Sequence, residues 1–283
     1  MILICESGAT KADWRAICPA DASCAAQCLT PGINVSTMSE DAVRGIISEA
    51  ASRLPEGPYD SLHIYTAGVI TPPIEDFLGA CLRDGFGKDA RIEILSDLVA
   101  SARAACGREP GIAAIMGTGA NSCLWDGEKI VKKVNSGGFI LGDEGSASAL
   151  GKLFVADYIK GLVPSEVAAD FESRFPHSYP EIVELVYHNS ASPSAWLGSL
   201  APFILSHYGN PCIREMADSN IRAFARRVLR QYDTAAFSVN VVGGFGFALK
   251  DIVERIFREE GITVGRFVSS PADDLVKFHC TNI

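Results

Sequence analysis

At 283 residues, 48% of them hydrophobic and 21% charged, the chain has enough apolar material for about two globular cores. Lys and Arg number 25 against 34 Asp and Glu, a net charge of −9, and no Lys/Arg cluster stands out, so nucleic acid is not an expected partner. No apolar stretch approaches the ~20 residues of a membrane span, which removes the membrane as well.

In chain order, an apolar strand is predicted at residues 2–5, with no basic region or cleavage site before it; a cytoplasmic protein is the expectation. Glu6 follows, then the turn Ser7-Gly8-Ala9-Thr10-Lys11, a strand at 14–18 and a third at 22–28. Thr37 with Glu40 reads as a capping box ahead of a helix whose apolar face is Val43, Ile46, Ile47, Ala50 and Leu54. Strands at 62–66 and 91–95 alternate with helices at 74–82 and 97–105, giving the order βββαβαβα.

The second half repeats the plan. Strands are predicted at 112–116, 121–125 and 129–134, with Asp126-Gly127 as a hairpin turn. A helical region of roughly 90 residues follows (about 146–235), whose strongest element spans 219–232 with Ile221, Phe224, Ala225, Val228, Leu229 and Tyr232 on one face. Joints rich in Pro, Ser and Asn fall near 176–180, 190–194 and 209–211. Strands at 237–242 and 262–268 flank a helix at 247–260, and a last helix covers 271–279.

Two strand–turn–strand devices carry the chemistry. Taken alone, the first turn reads first as a plain hairpin needing a positive φ at Gly8, but Glu6 beside a phosphate makes sense only through Mg²⁺, which takes hard oxygen ligands. The second turn, Gly117-Thr118-Gly119-Ala120-Asn121-Ser122, frames a hydroxyl with two glycines. It is no dinucleotide fingerprint, since Ser122 stands at the third glycine and a strand follows. Gly244-Phe245-Gly246 lacks the third glycine too, and Gly87-Lys88 and Gly151-Lys152 lack the Ser or Thr of a P-loop. Bare backbone N–H groups at the hairpin tips would then hold phosphate.

Asp97, directly after a strand, is either the cap of the next helix or a general base at a strand's carboxyl end. In Gly142-Asp143-Glu144-Gly145-Ser146 two acids sit between glycines; a cap needs one oxygen, whereas a carboxylate can accept from two sugar hydroxyls. Nine cysteines and five histidines are scattered at no ligand spacing, so reduced thiols are expected and a Cys/His metal site is not.

Taken in order, Glu6-Ser7-Gly8-Ala9-Thr10-Lys11, Ser96-Asp97, the 117–122 turn, the 142–146 segment and Gly243-Gly244 resemble the sugar kinase/actin/Hsp70 ATPase superfamily. More narrowly they are similar to its BadF/BadG/BcrA/BcrD-type ATPase and N-acetylglucosamine kinase branch. The resemblance spans nearly the whole chain and implies an α/β, duplicated RNase H-like fold with two lobes around a nucleotide cleft. Its lobes would be 1–108, with the helix 271–283 packing back on it, and 109–270, carrying the helical insertion.

The resemblance further implies ATP and Mg²⁺ as cofactors. Gly8, Thr10, Lys11, Gly117, Thr118, Gly119, Gly243 and Gly244 would contact ATP, and Glu6 would hold Mg²⁺ through water. Asn34, Asp97, Asn121, Gly138 and Asp143 would contact an amino sugar, with Asp97 as general base. The expected reaction is phosphorylation of N-acetylglucosamine at O6, and a homodimer through the helical insertion is a family habit. Two departures stand out: Glu6 replaces the usual Asp, and Ala120 replaces the commoner Ser, which leaves the sugar open. The alternatives are an ATPase that activates a partner protein, whose iron–sulfur cluster would need a cysteine motif that is missing here, and a sugar sensor without turnover.

Overall fold

Alternation along the first strand sets the layers of the N-terminal half. In β1 (Ile2–Ser7), Leu3 and Cys5 join one apolar cluster while Ile2 and Ile4 join another, as the two-residue period of a strand requires. β2 (Lys11–Cys18) and β3 (Ser23–Pro31) follow antiparallel, then α1 (Glu40–Arg53), β4 (Ser61–Thr66), α2 (Pro72–Phe86), β5 (Arg91–Leu95) and α3 (Asp97–Cys106). The sheet runs β3-β2-β1-β4-β5, with β4 and β5 parallel to β1. Helices α1 and α2 bury Val43, Ile47, Leu78 and Leu82 against the Leu3 face. Helix α3 buries Ala100 and Ala104 against the Ile2 face.

The second half repeats this order: β6 (Gly111–Met116), β7 (Ala120–Trp125) and β8 (Ile130–Val134), then α4 (Gly138–Leu141) and α5 (Ala147–Tyr158). Next come α6 (Ser165–Arg174), α7 (Tyr179–Tyr187), α8 (Pro193–Ser199), α9 (Ala201–Ser206) and α10 (Pro211–Arg227). The chain closes with β9 (Val239–Val242), α11 (Gly244–Ala248), α12 (Lys250–Glu259), β10 (Val264–Val268) and α13 (Ala272–Cys280). Its sheet order, β8-β7-β6-β9-β10, is that of the first sheet with each strand replaced by its counterpart, and the antiparallel and parallel pairs match one for one. The fold is a duplicated actin/RNase H-like fold with helical insertions. Helices α10 and α12 cover one face of this sheet with Ile221, Phe224, Val253 and Phe257, while α5 to α9 build a separate core around Phe154, Phe171 and Phe203.

The structure, a computed structural model, describes residues 1–8, 11–35, 38–68, 71–188 and 193–280. These divide into two compact units: Met1–Glu109 with Gly127–Lys129 and Ser270–Ile283, and Pro110–Asp126 with Ile130–Ser269. Helix α13 belongs to the first unit, where Leu275 packs beside Ala100 and Ile4.

Several local expectations change. Thr37 lies outside the described residues, and the cap of α1 is Ser39, whose hydroxyl accepts from the Ala42 N–H. The helix predicted at 219–232 begins at Pro211, behind an Asn210 cap, and gives way after Arg227 to a 3₁₀ turn, Leu229–Gln231. Its predicted apolar face is nevertheless the buried one. The helix predicted at 247–260 is two helices that meet at Leu249. The single turn of α4 is too short to show a period in sequence. The joint at 190–194 lies mostly outside the described residues.

Candidate active site

In the first unit the predicted residues collect at the carboxyl ends of β1, β4 and β5. The β1–β2 hairpin is closed by a bond from the Gly8 N–H to the Lys11 carbonyl (3.0 Å). Gly8 has no positive φ, contrary to the hairpin reading, and an added Cβ there would stand 3.9 Å from the Lys11 oxygen. Backbone conformation therefore does not explain this glycine. Thr10 lies outside the described residues; Lys11 is exposed.

The loop holding Asn34 is strapped down from below. The buried Ser7 hydroxyl accepts from the Ile33 N–H (2.7 Å), and the buried Thr66 hydroxyl donates to the Ile33 carbonyl (2.7 Å). Asn34 then bridges in parallel to Ala67, just past β4. Asp97 is the first residue of α3, and the cap is its neighbour: the Ser96 hydroxyl accepts from the Val99 N–H. Capping thus accounts for Ser96 and leaves the Asp97 carboxylate, half-buried at the positive end of the helix, unexplained by helix formation.

One neighbour escaped the sequence reading. Asp13 pairs directly across the sheet with Glu6, so the two carboxylates share a face, the face on which α3 packs. Burial first, then the charges of Asp13 and Asp97, push the Glu6 carboxyl up to about 7, with Lys11 and Arg15 pulling the other way. A carboxyl so perturbed is half protonated at neutral pH unless a cation joins it. The donors are hard carboxylate oxygens with no sulfur or imidazole among them, which suits Mg²⁺. The signal for Asp13 was the two-residue alternation Asp13, Arg15, Ile17, legible only once the register with β1 is known.

In the second unit the predicted residues gather around the ends of β6 and β9. The 117–119 turn closes by a bond from the Gly117 N–H to the Gly119 carbonyl (3.0 Å) and is docked on the start of α5: Ala147 and Ser148 donate to the Gly117 and Thr118 carbonyls. Asp143 takes a left-handed φ of 59° and lays its carboxylate over Gly119, where an added Cβ would meet the carboxylate oxygen at 3.1 Å. Burial pushes its carboxyl up, against the Ala120 N–H that donates to it. The cap of α5 is Ser146, and Glu144 is engaged with Arg227 at 2.6 Å, so neither acid is a cap. Asn121, Ser136 and Asp143 line one small cleft with Ala120 and Phe224. Gly138 opens α4, and the Asp143 N–H returns to the Ser136 carbonyl to close that loop.

Gly243 leaves β9 at φ 120°, where a Cβ would stand 2.7 Å from the Met116 carbonyl oxygen. Only glycine fits, and the backbone of Gly243-Gly244 stays bare beside the 117–119 turn.

A second polar group lies apart from these residues. His63, Tyr65, Glu93, Arg103 and His279 come together although the two histidines are far apart in sequence. His63 Nδ1 lies 2.7 Å from Glu93, Arg103 donates to Glu93 and to the Tyr65 hydroxyl, and that hydroxyl meets His279 Nε2 at 2.7 Å. Although His63, Glu93 and His279 are donors a metal could use, all are engaged, and the Arg103 guanidinium stands among them. The nine cysteines are free thiols.

No protein-family profile matches the chain, and no curated protein sequence matches it. Solved structures do. A candidate N-acetylglucosamine kinase from Porphyromonas gingivalis is 31% identical over 100% of this chain and 99% of its own, with a TM-score of 0.90. Two more distant structures share the fold. A candidate N-acetylglucosamine kinase from Chromobacterium violaceum is 21% identical (TM-score 0.74, 98% of each chain), and a ROK family glucokinase from Streptomyces griseus, solved with glucose and AMPPNP, is 17% identical (0.56, 98% of each). The duplicated sheets, the two glycine turns and this full-length similarity lead to one conclusion: the chain belongs to the BadF/BadG- and ROK-related sugar-kinase superfamily, within the wider actin/Hsp70 group.

Proposed function

We propose that the chain is an ATP-dependent kinase of an amino sugar, N-acetylglucosamine at its 6-hydroxyl, with Asp97 as general base. The observation that carries this reading is the placement of Asp97. It is not the cap of its helix, and it lies within electrostatic reach of Glu6 in the unit whose loop presents Asn34. The full-length relative from Porphyromonas gingivalis, described as a candidate N-acetylglucosamine kinase, supports the choice of sugar.

Phosphoryl transfer asks a protein mainly for alignment and charge neutralisation. The bare backbones of the 7–11 and 117–119 turns, with the hydroxyls of Thr10 and Thr118, would hold phosphate oxygens, and Gly243-Gly244 would admit the adenosine. Mg²⁺, held through water at Glu6, would offset charge on the transferred group. Asn34, Asn121, Asp143 and the backbone at Gly138 would orient the sugar. Asp97 would accept the proton of its hydroxyl, a role commonly worth ~10²–10⁴-fold.

ADP release with Mg-ATP across a panel of amino sugars tests this. Turnover with N-acetylglucosamine or a close relative, lost in Asp97→Asn while nucleotide binding persists, is the expected result. Sugar-independent hydrolysis, or full activity in Asp97→Asn, would overturn it.

A further inference from the structure

Carboxylates placed directly opposite each other in a sheet repel, and the half-buried Glu6 and the buried Asp13 are such a pair. A fold seeking only stability would fill these positions with apolar side chains, as it does at the adjoining pair Cys5↔Trp14 and, further along the same face, at Ile2↔Ile17. Instead several groups hold the Asp13 carboxylate in place. Arg15 donates from Nε to one Asp13 oxygen (3.2 Å) and from Nη2 to the other (3.0 Å). Gln27 on β3 donates to both (2.9 and 3.1 Å). Arg15 is itself anchored from its far side by Asp273, in the first turn of α13.

With both oxygens already accepting, and with Asp13 only 7% exposed, this carboxylate is not available as a direct ligand. It is an ion-paired, immobilised carboxylate directly opposite the half-buried Glu6.

We infer that Asp13 is a positioning residue for the cation site at Glu6, held in place by Gln27 and Arg15 and, through Arg15, by Asp273 of α13. This role rests on the kinase reading above, because it takes Glu6 as the residue that holds the divalent ion. Asp13 acts one step behind it: set directly opposite Glu6, its carboxylate adds to the negative potential that draws a divalent rather than a monovalent cation, and the cation in turn offsets the repulsion between the two side chains. Helix α13 thereby becomes part of the site's support, although none of its residues reaches the reacting groups.

The test is Mn²⁺ binding to the protein–ADP complex, followed by the Mn²⁺ electron paramagnetic resonance signal without turnover, alongside kcat and the Mg²⁺ concentration for half-maximal rate. Asp13→Asn should weaken Mn²⁺ about tenfold or more, the usual effect of removing an outer partner of a metal ligand. Asp273→Asn, at an exposed side chain that leaves the hairpin untouched, should weaken it about two- to threefold. The double variant should match Asp13→Asn alone, since both substitutions break one chain of contacts. The required Mg²⁺ should rise in parallel, with the KM for sugar unchanged.

Unchanged Mn²⁺ affinity in a folded Asp13→Asn protein would overturn the role and leave the kinase reading standing. Should Asp13→Asn not fold, Asp273→Asn decides alone: unaltered Mn²⁺ affinity there sinks the proposal. A wild-type protein that binds ADP but no Mn²⁺ would overturn the cation site at Glu6 and the role of Asp13 together.

Discussion

Two glycines of the proposed nucleotide site owe their identity to different forces, and substitution separates them. Gly243 is fixed by the fold: its φ of 120° and the Met116 oxygen 2.7 Å from any added Cβ leave no room for a side chain. Gly243→Ala should cost about 2 kcal/mol or more of stability, as substitutions at such strained positions do, and should weaken nucleotide binding as the β9–α11 turn shifts. Gly8, by contrast, has no positive φ, and among the described residues an added Cβ would meet nothing nearer than the Lys11 oxygen at 3.9 Å. Gly8→Ala should leave the thermal midpoint within a degree or so while lowering phosphoryl transfer, because the methyl group would intrude only on a bound phosphate. Melting curves and ADP release on the same two preparations check both statements. Capping makes a parallel distinction: Ser96 and Ser146 cap their helices, so helix capping does not account for Asp97 or Asp143.

Helix α13 is an element whose attachment depends on pH. Its end is held by His279, which meets Tyr65 and lies against the His63 ring, tilted by 31° at 3.8 Å between ring centres. The charged and titratable groups around it are His63 and Tyr65 on β4, Glu93 on β5, and Arg103 and Arg108 from α3 and the segment after it. Burial first, then His63 and Arg103, hold the His279 pKa down to about 3, so the folded state keeps this ring neutral. The unfolded chain binds a proton near pH 6.5 and the folded one does not until far lower. Stability from this group is therefore complete above about pH 6.5 and is lost as pH falls toward 3, by up to about 1.4 kcal/mol per unit. Glu93, held well below the usual carboxylate range by His63 and Arg103, adds loss of the same sign at lower pH. His279→Phe should flatten the dependence between pH 6.5 and 5, read from denaturation midpoints. A slope equal to wild type would show that His279 does not bear on it.

For the whole molecule, the duplication is the organising fact. Each sheet sends an antiparallel hairpin from the carboxyl end of its own central strand, β1–β2 in one unit and β6–β7 in the other, and a glycine-rich turn joins each pair in sequence. A ligand that binds only the folded protein stabilises it by mass action, about 2.7 kcal/mol at 100 times its Kd. Mg-ADP should raise the melting midpoint of wild type and of Asp97→Asn alike, by several degrees, and that of Gly243→Ala far less. Equal shifts in all three, or none in wild type, would count against the proposed nucleotide site. None of the described helices is long and apolar enough to cross a membrane.

Much of this was legible in the sequence, and for a definite reason. Strand and helix periods follow from local geometry, so the order of elements, the apolar faces of α1 and α10, and the glycine turns could be read directly, as could Asp97 after its strand. Element ends could not, because Ser39, Pro211 and Leu249 act through caps and backbone angles that the apolar period does not report. Nor could Asp13 or the His63–His279 group. Register between strands is set by which face each one buries, and register decides that Asp13 stands against Glu6. The return of α13 to the first sheet alone brings His279 to His63 and Asp273 to Arg15. The sequence by itself determined which elements form and where the glycine-rich turns lie. Tertiary structure decided which charges share a buried space, because that depends on pairs of residues that no local period connects.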